Sequence, residues 1–220
     1  MPPLYKYLPS EYVPTVLNRG EILFRNLTYF RQQEGPIRGD TYEGIHKNHP
    51  GTDIVIESTE HGIRAEGKYS FLNSTNPDLV FCFCMSKLLS KGLMAEFKYD
   101  ACIEIFKPDE FIRRVRFALE GLISVHPIGL LAQPVHYYHP AEPTLFDVTD
   151  PTQIVFAKNE SYKGQDEFRL SFGTRRAFKL VQQIAQPHYD PYNDAMKGQC
   201  KEKIVRVRGL NDVARVVMPQ

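Results

Sequence analysis

The clearest alternation of apolar and polar residues in the chain runs from residue 167 to residue 172, in the order Glu-Phe-Arg-Leu-Ser-Phe. A period of two is typical of a strand with one buried face. Lys163-Gly164 predicts the turn that leads into this strand. If the strand starts by Gln165, then Gln165 and Glu167 share a face, since side chains two apart in a strand point the same way.

Similar patterns predict strands along the rest of the chain. They fall at residues 4–7, 21–24, 27–30, 53–56, 62–65, 79–85, 101–106, 134–139, 153–156, 176–181 and 203–207. The segments 53–56 and 62–65 are expected to form a hairpin, and the almost entirely apolar segment 79–85 is expected to be a buried central strand. Residues typical of turns, mainly Gly, Pro, Asn and Asp, cluster between most of these segments.

Helical signals are fewer than strand signals. Ser10 can cap a short helix that begins at Glu11, and Pro108 with two acids after it predicts a longer helix to Gly121. Strands without regular βαβ alternation predict an α+β fold with mixed or antiparallel sheets and a few flanking helices. We expect one domain over residues 1–220, with a long functional loop at about 32–52, where Gly, Pro, Asp and His are common.

Composition narrows the function classes. The chain has 220 residues and a net charge of +1, so a global electrostatic attraction to nucleic acid is not indicated. No apolar run approaches the roughly 20 residues that span a bilayer. The first residues lack the order of a signal peptide, and the four cysteines do not suggest a disulfide framework. We therefore expect a cytoplasmic protein without a membrane partner.

Motifs for metal, nucleophile and phosphate chemistry are missing. Cys82 and Cys84 share a strand face, but no Cys-x-x-Cys or His-Glu-x-x-His motif accompanies them. The sequence has no nucleophile elbow and no glycine-rich phosphate loop. Acids that could converge on Mg²⁺ form no recognisable spacing, so no metal is predicted; these are Asp40, Glu43, Asp53 and Glu167.

Two family resemblances bear on the fold and the function. The opening Leu4-Tyr5-Lys6-Tyr7, the segment 27–31, Gly39-Asp40 and Glu43-Gly44 resemble the start of an uncharacterised bacterial family that opens with a Tyr-Lys-Tyr strand. The layout is also similar to that of ADP-ribosyltransferases. In those enzymes a late turn and strand carry Gln/Glu-x-Glu, which Gln165-Asp166-Glu167 matches, whereas Lys6 stands where they have Arg or His.

The second resemblance implies an NAD-dependent transferase with NAD as its substrate. It implies Glu167 as the catalytic carboxylate beside the ribose and Gln165 as the residue facing the acceptor. It further implies NAD contacts from Tyr5, Lys6, Tyr7, Tyr29, Arg31, Arg38 and Ser86. The acceptor would be a protein or a nucleic acid, and such enzymes are often toxins or phage-defence proteins, sometimes with an antitoxin or inhibitor protein as partner.

Two other interpretations stay open at this stage. Nine basic residues could form a groove for nucleic acid without any use of NAD; they are Arg113, Arg114, Arg116, Arg175, Arg176, Lys201, Lys203, Arg206 and Arg208. Alternatively, the chain is a non-enzymatic interaction domain. In that case Lys163, Glu167 and Arg169 are a solvated charge cluster on an ordinary strand face.

Overall fold

A computed structural model describes residues 1–32, 40–50, 52–186 and 198–219 of the chain. The strands are β1 Leu4–Leu8, β2 Glu21–Asn26, β3 Ile45–Asn48, β4 Ile54–Ser58, β5 Ile63–Gly67, β6 Ser70–Thr75, β7 Val80–Ser86, β8 Ala101–Ile105, β9 Leu131–Pro134, β10 His136–Tyr138, β11 Ala157–Asn159, β12 Glu167–Gly173, β13 Leu180–Gln186, β14 Glu202–Arg206 and β15 Ala214–Val217. The α-helices are α1 Val13–Leu17, α2 Leu27–Gln32, α3 Lys91–Glu96, α4 Pro108–Leu119 and α5 Pro151–Ile154, and 3₁₀ turns cover Ser10–Tyr12 and Glu160–Gln165.

One eight-stranded sheet dominates the fold. Its path is β14-β2-β7-β1-β8-β15; in addition β12 pairs with β7, and β9 pairs with β12. All of its pairings are antiparallel, whereas the small β10–β11 pair is parallel. The predicted α+β class with few helices is therefore confirmed.

The large sheet splits between β1 and β2. β12 pairs with β7 along its whole length, so β1 and β2 must share the other edge of β7. β2 occupies one end of that edge, where Arg25 lies opposite Cys82, and β1 occupies the other end, where Tyr5 lies opposite Ser86. Between these two contacts the strands diverge and leave a cleft.

The hydrophobic core lies on one face of the split sheet. Alternate residues of β7 and β12 point into it and pack with Phe111 and Val115 of α4; they are Phe81, Phe83, Met85, Phe168, Leu170 and Phe172. Helix α4 begins at Pro108, whose missing N–H costs nothing at this position. Because this face is filled by apolar side chains, the alternate residues of the same strands face the cleft.

Two segments that were predicted as strands begin in helices. In each case a capping residue before the segment favours a helix, although the short apolar run also fits a strand. Residues 27–30 lie in α2, where Asn26 Oδ1 accepts a hydrogen bond from Tyr29 N at 3.1 Å and so caps the helix start. Residues 153–156 were expected to be a strand, but α5 covers Pro151–Ile154. Its cap is Asp150, which accepts from Thr152 N, and proline occupies the first turn.

Other predictions differ in extent. The hairpin is confirmed as β4 with β5, and segment 79–85 is confirmed as the buried strand β7. The predicted loop 32–52 contains β3, and its residues 33–39 and 51 lie outside the described part of the chain. Ser10 does not cap an α-helix: α1 begins at Val13, and the Ser10 hydroxyl bonds to Asp100 at 2.6 Å. Strands β6, β11 and β15 were not predicted. The strand expected at 176–181 is wrong up to residue 179, because a turn closed by the hydrogen bond from Ala177 N to Thr174 O precedes β13.

The helices of the described residues are short. Among them, no helix has both the length and the apolar character that crossing a bilayer requires.

Candidate active site

The cleft at the split of the sheet has a volume of about 560 Å³. Its floor is the polar face of β7 and β12, which places Cys84, Ser86, Glu167 and Arg169 along it. This volume falls within the range of ligand pockets, roughly 300–1,000 Å³. The predicted catalytic residues Gln165 and Glu167 both line the cleft.

Four buried charged side chains form a closed ring of ion pairs at this floor, which we call the ion ring: Glu43, Lys158, Glu167 and Arg169. Arg169 lies 2.9 Å from Glu43 and 2.8 Å from Glu167, while Lys158 lies 2.9 Å from Glu167 and 3.6 Å from Glu43. No member of the ion ring has more than 6% of its side chain exposed. Two carboxylates thus alternate with two cations, so the charges compensate each other.

Short local structures position the members of the ion ring. Glu43 sits in a turn in which its N–H donates to the Asp40 carbonyl at 2.9 Å. Gly44 follows with a φ of +70°, and a Cβ there would lie 2.7 Å from Leu27 Cδ1. Only glycine fits this position without a shift. Lys158 is the middle residue of β11, which α5 leads into and β10 holds in parallel register.

The ion ring fixes the ionisation of Glu167. Burial alone would raise its pKa, but Arg169 and Lys158 lower it well below the ordinary range. Burial likewise works against the charge on Lys158, and Glu167 with Glu43 raises the pKa of Lys158 above its usual value. Glu167 is therefore an ionised carboxylate at any physiological pH, held in one orientation by bonds to both of its oxygens.

Gln165 reaches the ion ring from outside the strand. β12 begins at Glu167, and Gln165 ends the preceding 3₁₀ turn. Asp166 between them adopts a left-handed φ of 39°, a conformation that aspartate tolerates better than most residues. The Lys158 ammonium donates to Gln165 Oε1 at 3.0 Å and to Glu167 Oε2 at 2.9 Å. The two residues therefore meet at one cation, although they do not share a strand face as predicted.

Strand register aligns three of the predicted residues. Tyr5 of β1, Ser86 of β7 and Glu167 of β12 lie opposite one another across adjacent strands. The Ser86 hydroxyl donates to the Gln165 carbonyl at 2.8 Å and accepts from Leu88 N at 2.9 Å. Ser86 thus holds the turn that carries Gln165.

Lys6 lies inside the split itself. Its ammonium donates to the Cys84 carbonyl at 2.8 Å and lies 4.5 Å from the centre of the Phe83 ring. That carbonyl belongs to the part of the β7 edge that lies between the contacts of β1 and β2. Burial lowers the pKa of Lys6. Lys6 therefore satisfies a strand carbonyl where the sheet is open and brings a cation to the cleft.

Aromatic side chains line two parts of the cleft. On one side Tyr7 meets Phe97 edge-to-face with ring centres 5.8 Å apart, and Tyr7 also bonds through its hydroxyl to the Leu88 carbonyl at 2.7 Å. On the other side Tyr29 meets Phe30 at 5.4 Å. Arg25 packs over the Tyr29 ring and donates to its hydroxyl, and it also pairs with Glu202 at 3.0 Å. Planar groups can stack at both places.

One of the predicted NAD contacts lies away from the cleft, and another falls on residues that the structure does not describe. Arg31 is buried and donates through Nε to the Glu43 carbonyl at 2.5 Å, so it supports the turn behind the ion ring and is not a lining residue of the cleft. Arg38 lies outside the described residues. Tyr5, Lys6, Tyr7, Tyr29 and Ser86 do line the cleft.

The basic residues of the nucleic-acid interpretation do not converge on the cleft. Arg113 and Arg114 of α4 pair with Glu110, and Arg114 also pairs with Asp212. Arg206 pairs with Glu21 at 3.3 Å. These cations are already compensated by neighbouring acids.

Sequence reasoning missed the cationic half of the ion ring. Arg169 was expected on a solvated face, but it is only 1% exposed, and Lys158 was not considered. Lys158 sits in a three-residue strand and carries no local signal. Glu43 was noted only as one of several acids. A Glu-x-Arg pair on a strand between apolar residues is the one signal that could have suggested buried charges.

Asp40 lies beside the ion ring without completing it. It is 2% exposed, and its Oδ1 accepts from Tyr42 N at 2.9 Å. Its Oδ2 is buried and has no hydrogen-bond partner in the described part of the chain. Burial and the nearby Glu43 raise the pKa of Asp40 to about 6. Asp40 is therefore the titratable acid of this region near neutral pH.

Within the described ranges, no group of three or more His, Cys, Asp or Glu side chains is arranged to hold a metal ion. No family model, curated protein or solved structure matches the chain. The geometry of the cleft is therefore the basis on which a function can be assigned.

Proposed function

We propose that the chain is an ADP-ribosyltransferase-like enzyme that cleaves NAD and transfers ADP-ribose to a protein or a nucleic acid. The observation that carries this proposal is the position of Glu167, an ionised carboxylate at the floor of a cleft where the central sheet splits. The Gln-x-Glu pattern that suggested the family ends at this same carboxylate. We also propose that this chain has the fold of the ADP-ribosyltransferases.

Glu167 would act by stabilising charge. When the bond between the nicotinamide nitrogen and ribose C1 breaks, the electron pair leaves with nicotinamide and positive charge develops at the ribose. A fixed carboxylate nearby lowers the energy of that state. An acceptor oxygen or nitrogen then bonds to C1 and loses its proton to solvent. Because its pKa is held so low, Glu167 is suited to this electrostatic role and unsuited to general acid catalysis.

Glu167 already has several hydrogen-bond donors. Its oxygens accept from Lys158, from two nitrogens of Arg169 and from the Cys84 thiol. A ribose hydroxyl would take the place of the thiol, which is the weakest of these donors. Gln165 shares the Lys158 ammonium and lies next to this position, where it could contact the acceptor.

The remainder of the cleft suits a dinucleotide. The aromatic groups at Tyr7–Phe97 and Tyr29–Phe30 offer stacking surfaces for the nicotinamide and adenine rings. Lys6 would supply a cation for the pyrophosphate, and Arg25 would do so by exchanging its pairing with Glu202 for the pyrophosphate. Of the ammonium's three donor positions, Lys6 uses one on the Cys84 carbonyl. Arg25 replaces Arg31 in this proposal, because Arg31 is turned toward the Glu43 carbonyl.

Labelled NAD incubated with the protein and a cell extract tests the proposal. We expect label in macromolecules, and its loss after either protease or nuclease treatment identifies the acceptor class. In parallel, saturating NAD should stabilise the protein against heat, by about 2.7 kcal/mol at a concentration 100 times its Kd. Absence of both transfer and stabilisation would exclude the proposal, and stabilisation by oligonucleotides alone would favour nucleic-acid binding.

A further inference from the structure

A second pocket of about 360 Å³ lies behind the ion ring. Its polar lining residues are Tyr42, Lys47, His49, Tyr138, His139 and Asn159. It shares no lining residue with the cleft. We call it the rear pocket.

The partition between the two cavities is one short strand and one turn. In β11, Lys158 faces the cleft while its neighbour Asn159 lines the rear pocket. In the turn, Glu43 faces the cleft while its neighbour Tyr42 lines the rear pocket. Successive side chains of a strand point to opposite sides, which explains how β11 serves both cavities.

The rear pocket carries cationic and neutral donors but no acid among its lining residues. Lys47 is partly buried, and its ammonium lies 3.3 Å from the Tyr42 hydroxyl and 5.4 Å from the centre of that ring. No carboxylate in the described part of the chain pairs with Lys47. The exposed Glu160 lies 3.7 Å from His139 Nε2. Burial without a counter-charge lowers the pKa of Lys47.

Further donors remain beside Lys47. The Tyr138 hydroxyl accepts from Lys47 N at 3.2 Å, so its own hydrogen is left to donate. His49 Nδ1 bonds to the Ser70 hydroxyl at 2.9 Å, which leaves its Nε2 for a ligand. Burial raises the pKa of Tyr138, and the buried Asp40 and Glu43 are close enough to raise it further. Lys158 and Arg169 offset part of the charge of these two acids.

We propose that the rear pocket binds a phosphate group, with Lys47 as its counter-ion and His49 and Tyr138 as hydrogen-bond donors. Its volume exceeds that of one phosphate, and aromatic rings line it. The ligand class is therefore a phosphorylated small molecule, such as a nucleoside monophosphate, held through its phosphate. This site is independent of the proposed use of NAD, because the two cavities have no lining residue in common.

Amide NMR shifts of the full chain, titrated with inorganic phosphate, AMP and adenosine at constant ionic strength, test this inference. We expect saturable shifts at Lys47, His49 and Asn159 with phosphate and AMP but not with adenosine. Lys47→Met should raise the Kd read at these amides about tenfold or more, since a charge-assisted hydrogen bond is lost. Lys68→Met, at an exposed lysine, is the matched control and should leave the Kd unchanged.

Three results would overturn the proposal. One is the absence of saturable shifts at these amides with phosphate and AMP. Another is equal binding of adenosine and AMP there, which would mean that the phosphate is not recognised. The third is an equal effect of Lys47→Met and Lys68→Met. His49→Phe, which keeps a ring and removes both ring nitrogens, provides a second variant, expected to weaken phosphate binding several-fold, should Lys47→Met fail to fold.

Discussion

Strands β7 and β12 have two faces that are equally buried but chemically opposite. On the core face, aromatic and aliphatic side chains such as Phe83 and Leu170 pack together. On the cleft face, Glu167 and Arg169 pack with Lys158 and Glu43. All seven residues of β12 are buried, so burial alone does not distinguish the two faces.

The difference between the faces lies in what each must satisfy. The core face requires only apolar side chains that fit together. It stabilises the fold because their apolar surface is removed from water. The cleft face needs every charge to have a partner, because an unpaired buried charge is very costly. A replacement by hydrophobic residues often matches or exceeds a buried ion pair in stability. The ion ring is therefore better explained by a role at the cleft than by stability.

Arg169→Met breaks the cleft face most severely. It removes the cation between Glu43 and Glu167 and leaves two buried carboxylates with Lys158 alone. We expect a loss of about 3–5 kcal/mol in the free energy of unfolding, measured with denaturant. Arg64→Met, which breaks an exposed pair with Glu57, should cost no more than about 1 kcal/mol. Equal losses in both variants would show that the ion ring contributes no more than a surface pair.

Leu170→Ala tests the core face of the same strand. Leu170 is fully buried opposite Phe83, so its truncation leaves a cavity. We expect a loss of about 3 kcal/mol, again measured by denaturant unfolding. NAD-dependent activity of the folded fraction should be unchanged, since this side chain does not line the cleft. A large loss of activity at full folding would mean that the two faces are not functionally separate.

Asp40→Asn sharpens the comparison by removing an acid that the ion ring does not pair. The pKa of Asp40 is raised to about 6, so the folded protein binds this proton more tightly than the unfolded chain. Stability from this group is thus present at low pH and lost as pH rises from about 4 to 6. We expect Asp40→Asn to stabilise the protein by about 3 kcal/mol at pH 7.5 and to have little effect at pH 4.

Denaturant unfolding of Asp40→Asn and the wild type at both pH values measures that difference. The exposed Asp53→Asn is the control and should change stability little at either pH. A uniform effect of Asp40→Asn across this pH range would contradict the assignment of a raised pKa to Asp40.

Local patterns were sufficient for the strands that build the cleft. β7 and β12 follow from an apolar run and a period of two, because both signals are contained within one segment. Residues 27–30 and 153–156 were misassigned, since four apolar-rich residues fit either periodicity. The caps Asn26 and Asp150 were the available correction.

The ion ring could be predicted only in part. Glu167 and Gln165 form a local motif and were identified from it. Lys158 and Glu43 come from a three-residue strand and a turn, and they reach the cleft through tertiary contacts that no local pattern encodes. The solvated interpretation of Arg169 failed because a charged residue is exposed by default, and here two acids compensate its burial.

Release of nicotinamide from NAD by the wild type and by Glu167→Gln tests the central claim most directly. The amide keeps the shape of Glu167 but removes its charge, which leaves Lys158 and Arg169 with Glu43 alone. The turnover rate is therefore measured per folded molecule, and it should fall about 100-fold. The Kd for NAD should stay within a few-fold, since the carboxylate acts mainly in the transition state. Glu57→Gln, at an exposed position in β4, should leave both unchanged. A Glu167→Gln protein that releases nicotinamide at the wild-type rate would contradict the account.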